Sequence, residues 1–166
     1  MSYRVLLATI CLAVAAAGCA GSSLESYKPQ TNDETLVVAQ LKKIPAGVKA
    51  KSVDVVMQPY AEDLYVGNFH KYLGVAGAQA SMRIGKAELR QAYAQVFRAM
   101  KDISMDVRDF RLTVQGDRAV AEAYTEMLIK VEGGKRESKE ELIRNEVTWR
   151  LKRGPMGWRI HEEIFH

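Results

Sequence analysis

Apolar residues along this chain recur at helical spacing up to about residue 101 and at alternate positions after it. Val37, Leu41, Ile44 and Val48 share one side of a helix beginning at Thr31, where Thr31 and Glu34 have the spacing of a capping box. Pro45 lacks an N–H and crowds the preceding turn, so it is expected to kink or divide that helix. A second, short helix carries Val53, Val56, Met57 and Tyr60. Asp63 to Phe69 suits a short strand, and His70 to Arg83 reads as a loop. The clearest helix runs from Lys86 to about Lys101, with Leu89, Tyr93, Val96, Phe97 and Met100 on one face and Gly85 at its start.

Beyond Lys101 the period falls to two. Ile103, Met105 and Val107 alternate in one parity and Phe110, Leu112 and Val114 in the other, as a β-bulge at Arg108–Asp109 would produce. Turns at Gln115–Asp117, Gly133–Gly134 and Gly154–Gly157 separate three further strands, over Ala119–Val131, Glu140–Arg153 and Trp158–Phe165, in an antiparallel meander. Requiring apolar faces to meet sets Ala119, Ala121, Ala123, Thr125 and Met127 beside Ile143, Asn145, Val147, Trp149 and Leu151. Glu122, Tyr124, Glu126, Arg144, Glu146 and Arg150 are left on the outer face. A four-residue last connection, Arg153 to Met156, turns Trp158, Ile160, Glu162 and Ile164 inward. Glu162 and Asn145 are then the polar groups among apolar neighbours.

The first residues change the picture. Arg4 precedes an apolar run of thirteen residues, Val5 to Ala17, which is the length of an export signal and short of the roughly 18–20 residues of a membrane span. Ala16-Ala17-Gly18-Cys19 resembles the bacterial lipobox. That resemblance implies removal of residues 1–18, diacylation of the Cys19 sulfur, palmitate or a similar chain on the new amine, and a membrane attachment that is effectively permanent. Ala20 in place of Asp points to the outer membrane, with the protein facing the periplasm. Residues 19–30, small and polar, read as a lipidated flexible tether, and 31–166 as one domain. Of two cysteines, Cys11 leaves with the signal and Cys19 carries lipid, so no thiol remains for a disulfide, a metal or a nucleophile.

The net charge of +4 is spread among acids and bases, as in the stretch KRESKEE, and no basic face is present for nucleic acid. Nucleotide, zincin and serine-hydrolase motifs do not occur, and no cofactor is expected. His161, Glu163 and His166 do not make a metal site, because on a strand His166 points away from the other two.

VDVVMQPYAEDLYV (Val53–Val66), GKAELRQAYAQVF (Gly85–Phe97) and GWRIHEEI (Gly157–Ile164), in this order, resemble the nuclear transport factor 2-like (SnoaL-like) superfamily over residues 31–165. The resemblance implies an α+β, cone-shaped fold, with N-terminal helices closing over a curved, bulged antiparallel sheet around a pocket. It also implies dimerisation through the outer sheet face, with Tyr124, Leu128 and Leu142 as the contact candidates. The isomerase branch carries a base where this chain has Asn68, so isomerase chemistry is not expected.

Tyr60, Tyr65, Tyr93, Phe97, Thr125, Asn145, Trp149 and Glu162 are the candidates to line a small apolar pocket; the competing reading of the aromatics is ordinary core packing. Glu162, oriented by Asn145, is the one candidate for a catalytic acid. The leading expectation is a lipid-anchored, non-catalytic binding or accessory module. Its alternatives are an acid–base enzyme of isomerase, cyclase or dehydratase type and a homodimeric structural lipoprotein.

Overall fold

Three short helices open the domain: α1 (Asn32–Leu41), α2 (Lys43–Lys49) and α3 (Val53–Met57). The computed structural model describes residues 22–69, 83–131 and 139–166. The leader with Cys11 and Cys19, the loop expected around His70 and the tip at Gly133–Gly134 lie outside the described residues. Thr31 caps α1 by accepting the Glu34 N–H at 3.1 Å. Glu34 does not close the box on Thr31, however; its carboxylate accepts the Gln30 N–H at 2.7 Å and the Tyr27 hydroxyl at 3.2 Å. The expected break at Pro45 falls at Lys42, since the proline ring disturbs the turn before it rather than its own residue. Where α2 crosses α3, a Cβ on Gly47 would stand 2.5 Å from Val56 Cγ2, so this approach requires glycine.

Strand β1 (Tyr60–Gly67) starts earlier than periodicity suggested, with Tyr60 opening the strand instead of closing a helix. The short β2 (Arg83–Ile84) and helix α4 (Lys86–Ala99) follow, and Glu88 Oε2 accepts the Gly85 N–H at 3.1 Å. The meander consists of β3 (Asp102–Gln115), β4 (Arg118–Val131), β5 (Lys139–Gly154) and β6 (Gly157–Phe165). The curved sheet has the order β2-β1-β6-β5-β4-β3, with β1 parallel to β6 and the other described pairs antiparallel. Ala121 lies opposite Trp149 and Thr125 opposite Asn145, as face matching required. The helices and the inner sheet face enclose one core, with Tyr60, Trp149, Trp158 and Phe165 among its largest side chains.

Two details differ from expectation. Gly154 pairs with Gly157, so the last connection is the two residues Pro155 and Met156 rather than four, with Gly157 at φ +82°. The second concerns the tether. Arg108 faces Tyr124 while Arg111 faces Glu122, which places the expected bulge in β3, with Asp109 at φ +52°. β3 is the sheet edge, and at this bulge the Phe110 N–H donates to the Ser22 carbonyl at 2.8 Å and the Leu24 N–H to the Val107 carbonyl at 3.0 Å. Leu24 is 1% exposed, and Tyr27 meets Phe110 edge-to-face at 5.0 Å. Residues 22–27 are therefore docked on the domain and cover part of its edge, and the expectation of a flexible tether through 30 is corrected.

Candidate functional site

The inward acid on β6 is Glu163, not Glu162. Ile160 faces Leu151, Glu162 faces Arg150 and Glu163 faces Trp149, so His161 is one residue more than β5 can pair. This second bulge reverses the alternation: Trp158 and Ile160 are buried before it, Glu163 and Phe165 after it. Glu162 consequently points outward, where its carboxylate lies 2.8 Å from Arg150 Nη1. The expected pocket acid becomes one half of a surface ion pair.

Glu163 is 2% exposed. Its Oε1 accepts the Trp149 indole N–H at 2.6 Å, and the Tyr60 hydroxyl lies 3.2 and 3.1 Å from Oε1 and Oε2. Removal from water raises its pKa from 4.5 to about 7, against the lowering by the Trp149 and Tyr60 hydrogen bonds. One carboxyl thus satisfies both aromatic donors and ties β1, β5 and β6 together at the centre of the core.

The remaining pocket candidates divide by face. Tyr93 and Phe97, on α4, have ring centroids 5.6 Å apart and are buried with Trp149 and Tyr60. Thr125 and Asn145 lie on the same inner face, the Thr125 hydroxyl donating to the Asn145 carbonyl at 3.3 Å. Tyr65 does not join them. It faces Glu162 across β1–β6 on the outer side, half-buried under the Arg83 guanidinium at 5.3 Å from its ring. Asn68, at φ +56°, donates from Nδ2 to the Phe165 carbonyl at 2.9 Å and fastens the end of β1 to the end of β6. Tyr124 and Leu142 are exposed on the outer face, with Leu128 half-buried beside them.

A groove of about 510 Å³ opens where β1 leaves β6, lined by Met57, Tyr60, Asp63, Lys86, Met156 and His161 among others. Between the pairs Tyr60–Ile160 and Tyr65–Glu162 four residues of β1 stand against one of β6, so Ala61–Leu64 leave regular pairing opposite the His161 bulge. The two irregularities bring His161 Nδ1 to 2.7 Å from Asp63 Oδ1, an ion-pair distance away from the line of a hydrogen bond. His161 Nε2 has no partner among the described residues. Lys86, the first residue of α4, donates to the Tyr60 carbonyl at 3.0 Å and lies 2.6 Å from Glu62 Oε1. Tyr60 connects the two places, lining the groove and donating to Glu163.

Sequence reasoning named His161 and Glu163 only as non-converging metal candidates and did not single out Asp63. His161 contacts Asp63, Glu163 enters the core, and His166 Nε2 sits 3.0 Å from the Thr148 hydroxyl. The signal available was the run His161-Glu162-Glu163 itself, which offers two acids to one inward position.

No protein-family model and no curated protein matches this chain. Solved structures match it well in shape. A Novosphingobium aromaticivorans protein named as a proposed aromatic ring hydroxylase is 16% identical, with a TM-score of 0.64 over 83% of this chain and 90% of that one. A Streptomyces avermitilis member of the NTF2-like family, named as a proposed dehydratase, is 17% identical, with a TM-score of 0.57 over 80% and 94%. An NTF2-like protein with a cystatin-like fold, also from N. aromaticivorans, is 18% identical, with a TM-score of 0.60 over 80% of each chain. The chain has the nuclear transport factor 2-like, cystatin-like α+β fold.

Proposed function

We propose that this chain is a lipid-anchored module of the bacterial envelope, acylated at Cys19 in the outer membrane and facing the periplasm, and that its domain binds a small ligand in the β1–β6 groove. The lipobox-like Ala16–Cys19 behind the apolar leader supports the anchor. One observation carries the binding reading. Two opposed strand irregularities bring to the groove a half-buried imidazole whose Nδ1 is held beside Asp63 and whose Nε2 is unengaged among the described residues. Bulges re-aim side chains in this way at binding sites. Met57, Ala61 and Met156 offer apolar contact, and Lys86, Lys152 and Arg159 outnumber Glu62 and Asp63. The ligand is therefore a small, partly apolar molecule with an anionic or hydrogen-bond-accepting end.

Native mass spectrometry of the protein taken gently from membranes tests this. The expected result is a retained small molecule, lost in His161→Ala and in Met156→Asp. A bare mass, together with unmoved His161 NMR signals across a library of small carboxylates, overturns it.

The second reading, an acid–base enzyme, rests on the same pair, since an imidazole beside a carboxylate in a groove is a candidate general base. Its acid is no longer Glu162. In that case His161→Gln keeps the fold and abolishes turnover, and a parent protein inert on a panel of small hydroxy and keto substrates ends the reading. A second copy of the chain on the exposed Tyr124 and Leu142 is the remaining partner proposal. Light scattering of the soluble fragment 21–166 tests it, and a monomer at high concentration refutes it.

A further inference from the structure

The docked N-terminal segment bears on how the domain sits at the membrane. Ser22 and Leu24 are tied to β3 by two backbone hydrogen bonds, of 2.8 and 3.0 Å, and Leu24 is sealed into the core. Glu25 is tied in turn to Lys42, whose Nζ lies 3.3 Å from its carboxylate. Cys19 precedes Ser22 by three residues. Fully extended, three residues span at most about 11 Å, no more than about twice the roughly 5–8 Å of one headgroup layer.

We infer that, with Cys19 acylated, the domain lies directly on the lipid headgroups, with the face around the β3 bulge turned to the bilayer. This rests on the proposed acylation. The contacting face comprises the docked segment, the Arg108–Arg111 bulge and the end of α2 at Lys49. A cleft of about 950 Å³ between Leu24, Pro45, Ala46, Lys49 and Arg108 opens on this face. Its exposed charges are mixed, Lys28, Lys49, Arg108 and Arg111 against Glu25, Asp106 and Asp109, so chain length and not charge sets the orientation. The lipid surface is the partner of this face.

The sheet order gives the consequence. β1 is four strands from β3, and at ~4.8 Å per strand the β1–β6 groove lies about 15–20 Å along the sheet from the mooring. The groove faces the aqueous side, and its ligand arrives from the periplasm rather than from the bilayer.

The test uses the full-length protein processed and acylated by its host, with the Cys19 modification checked by mass spectrometry. Because acylation blocks Cys19, an introduced cysteine is the single reactive thiol of the mature chain. A fluorophore is placed at Lys28→Cys, Arg111→Cys or Glu62→Cys, and each protein is reconstituted in phosphatidylethanolamine–phosphatidylglycerol vesicles carrying a headgroup quencher. The Lys28 and Arg111 positions are expected to lose most of their fluorescence and Glu62 to keep it. Inserting a Gly-Ser linker of about 20 residues after Ala20, a coil spanning about 25 Å, is expected to erase the difference. Equal quenching at all three positions in the acylated protein overturns the orientation while leaving the anchor standing. A free Cys19 sulfur overturns both.

Discussion

Among the described residues, two one-residue bulges of the sheet are put to opposite uses. The bulge in β3 lies on an edge strand with one unpaired side, and it uses that side outward: the Phe110 amide takes up the Ser22 carbonyl and the chain entry is docked. The bulge in β6 lies inside the sheet with neighbours on both sides, so it has no free edge to offer. It acts on alternation instead, sending Glu162 out to Arg150, Glu163 in to Trp149 and Tyr60, and His161 sideways to Asp63. The same local irregularity makes a mooring at an edge and a site of altered chemistry in the interior. Its position in the sheet decides which.

Four substitutions separate these roles. Leu24→Ala tests the mooring with the largest effect: deleting a buried leucine side chain costs about 3–4 kcal/mol in urea unfolding, whereas a free tether would give no change. Glu163→Gln comes next, through pH. Below about pH 4.5 the folded and unfolded chains both hold this proton. Between 4.5 and about 7 the unfolded chain releases it first, so its contribution to stability falls as pH rises, and above about 7 the full penalty applies. The variant is therefore expected to equal the parent near pH 4.5 and to exceed it at pH 8 by about 3 kcal/mol in denaturant melts. Asp109→Gly relieves a left-handed residue at the edge bulge and should raise stability by about 0.5–1 kcal/mol. Glu162→Gln removes a largely solvated ion pair and should cost about 0.5 kcal/mol in the same denaturant melts.

The sequence showed one bulge and hid the other for a physical reason. In β3 three apolar residues on each side of the irregularity fix both parities, so the switch is visible. In β6 only two apolar residues follow the bulge, adjacent to each other, and Ile164 fits the unbulged alternation while Phe165 fits the bulged one. Nothing local breaks that tie; packing against Trp149 and Tyr60 does. The inner face of β4 and β5, including Thr125, Asn145 and Trp149, was legible because long strands repeat the same choice many times. The docking of Ser22–Tyr27 was not, because Leu24 and Tyr27 are isolated in a polar run and their partners, the Val107 carbonyl and the Phe110 ring, each lie 83 residues further on, at a bulge. Asp63 was missed for a similar reason: its contact with His161 arises only because both strands leave regular pairing at the same place.

The β6 bulge selects Glu163 as the buried, proton-holding carboxyl. A carbon-13 NMR titration of the glutamate carboxyls tests it most directly. One resonance should titrate near pH 7, vanish in Glu163→Gln and persist in Glu162→Gln. A resonance that is lost in Glu162→Gln instead, or a set that titrates entirely between about 4 and 5, would contradict it.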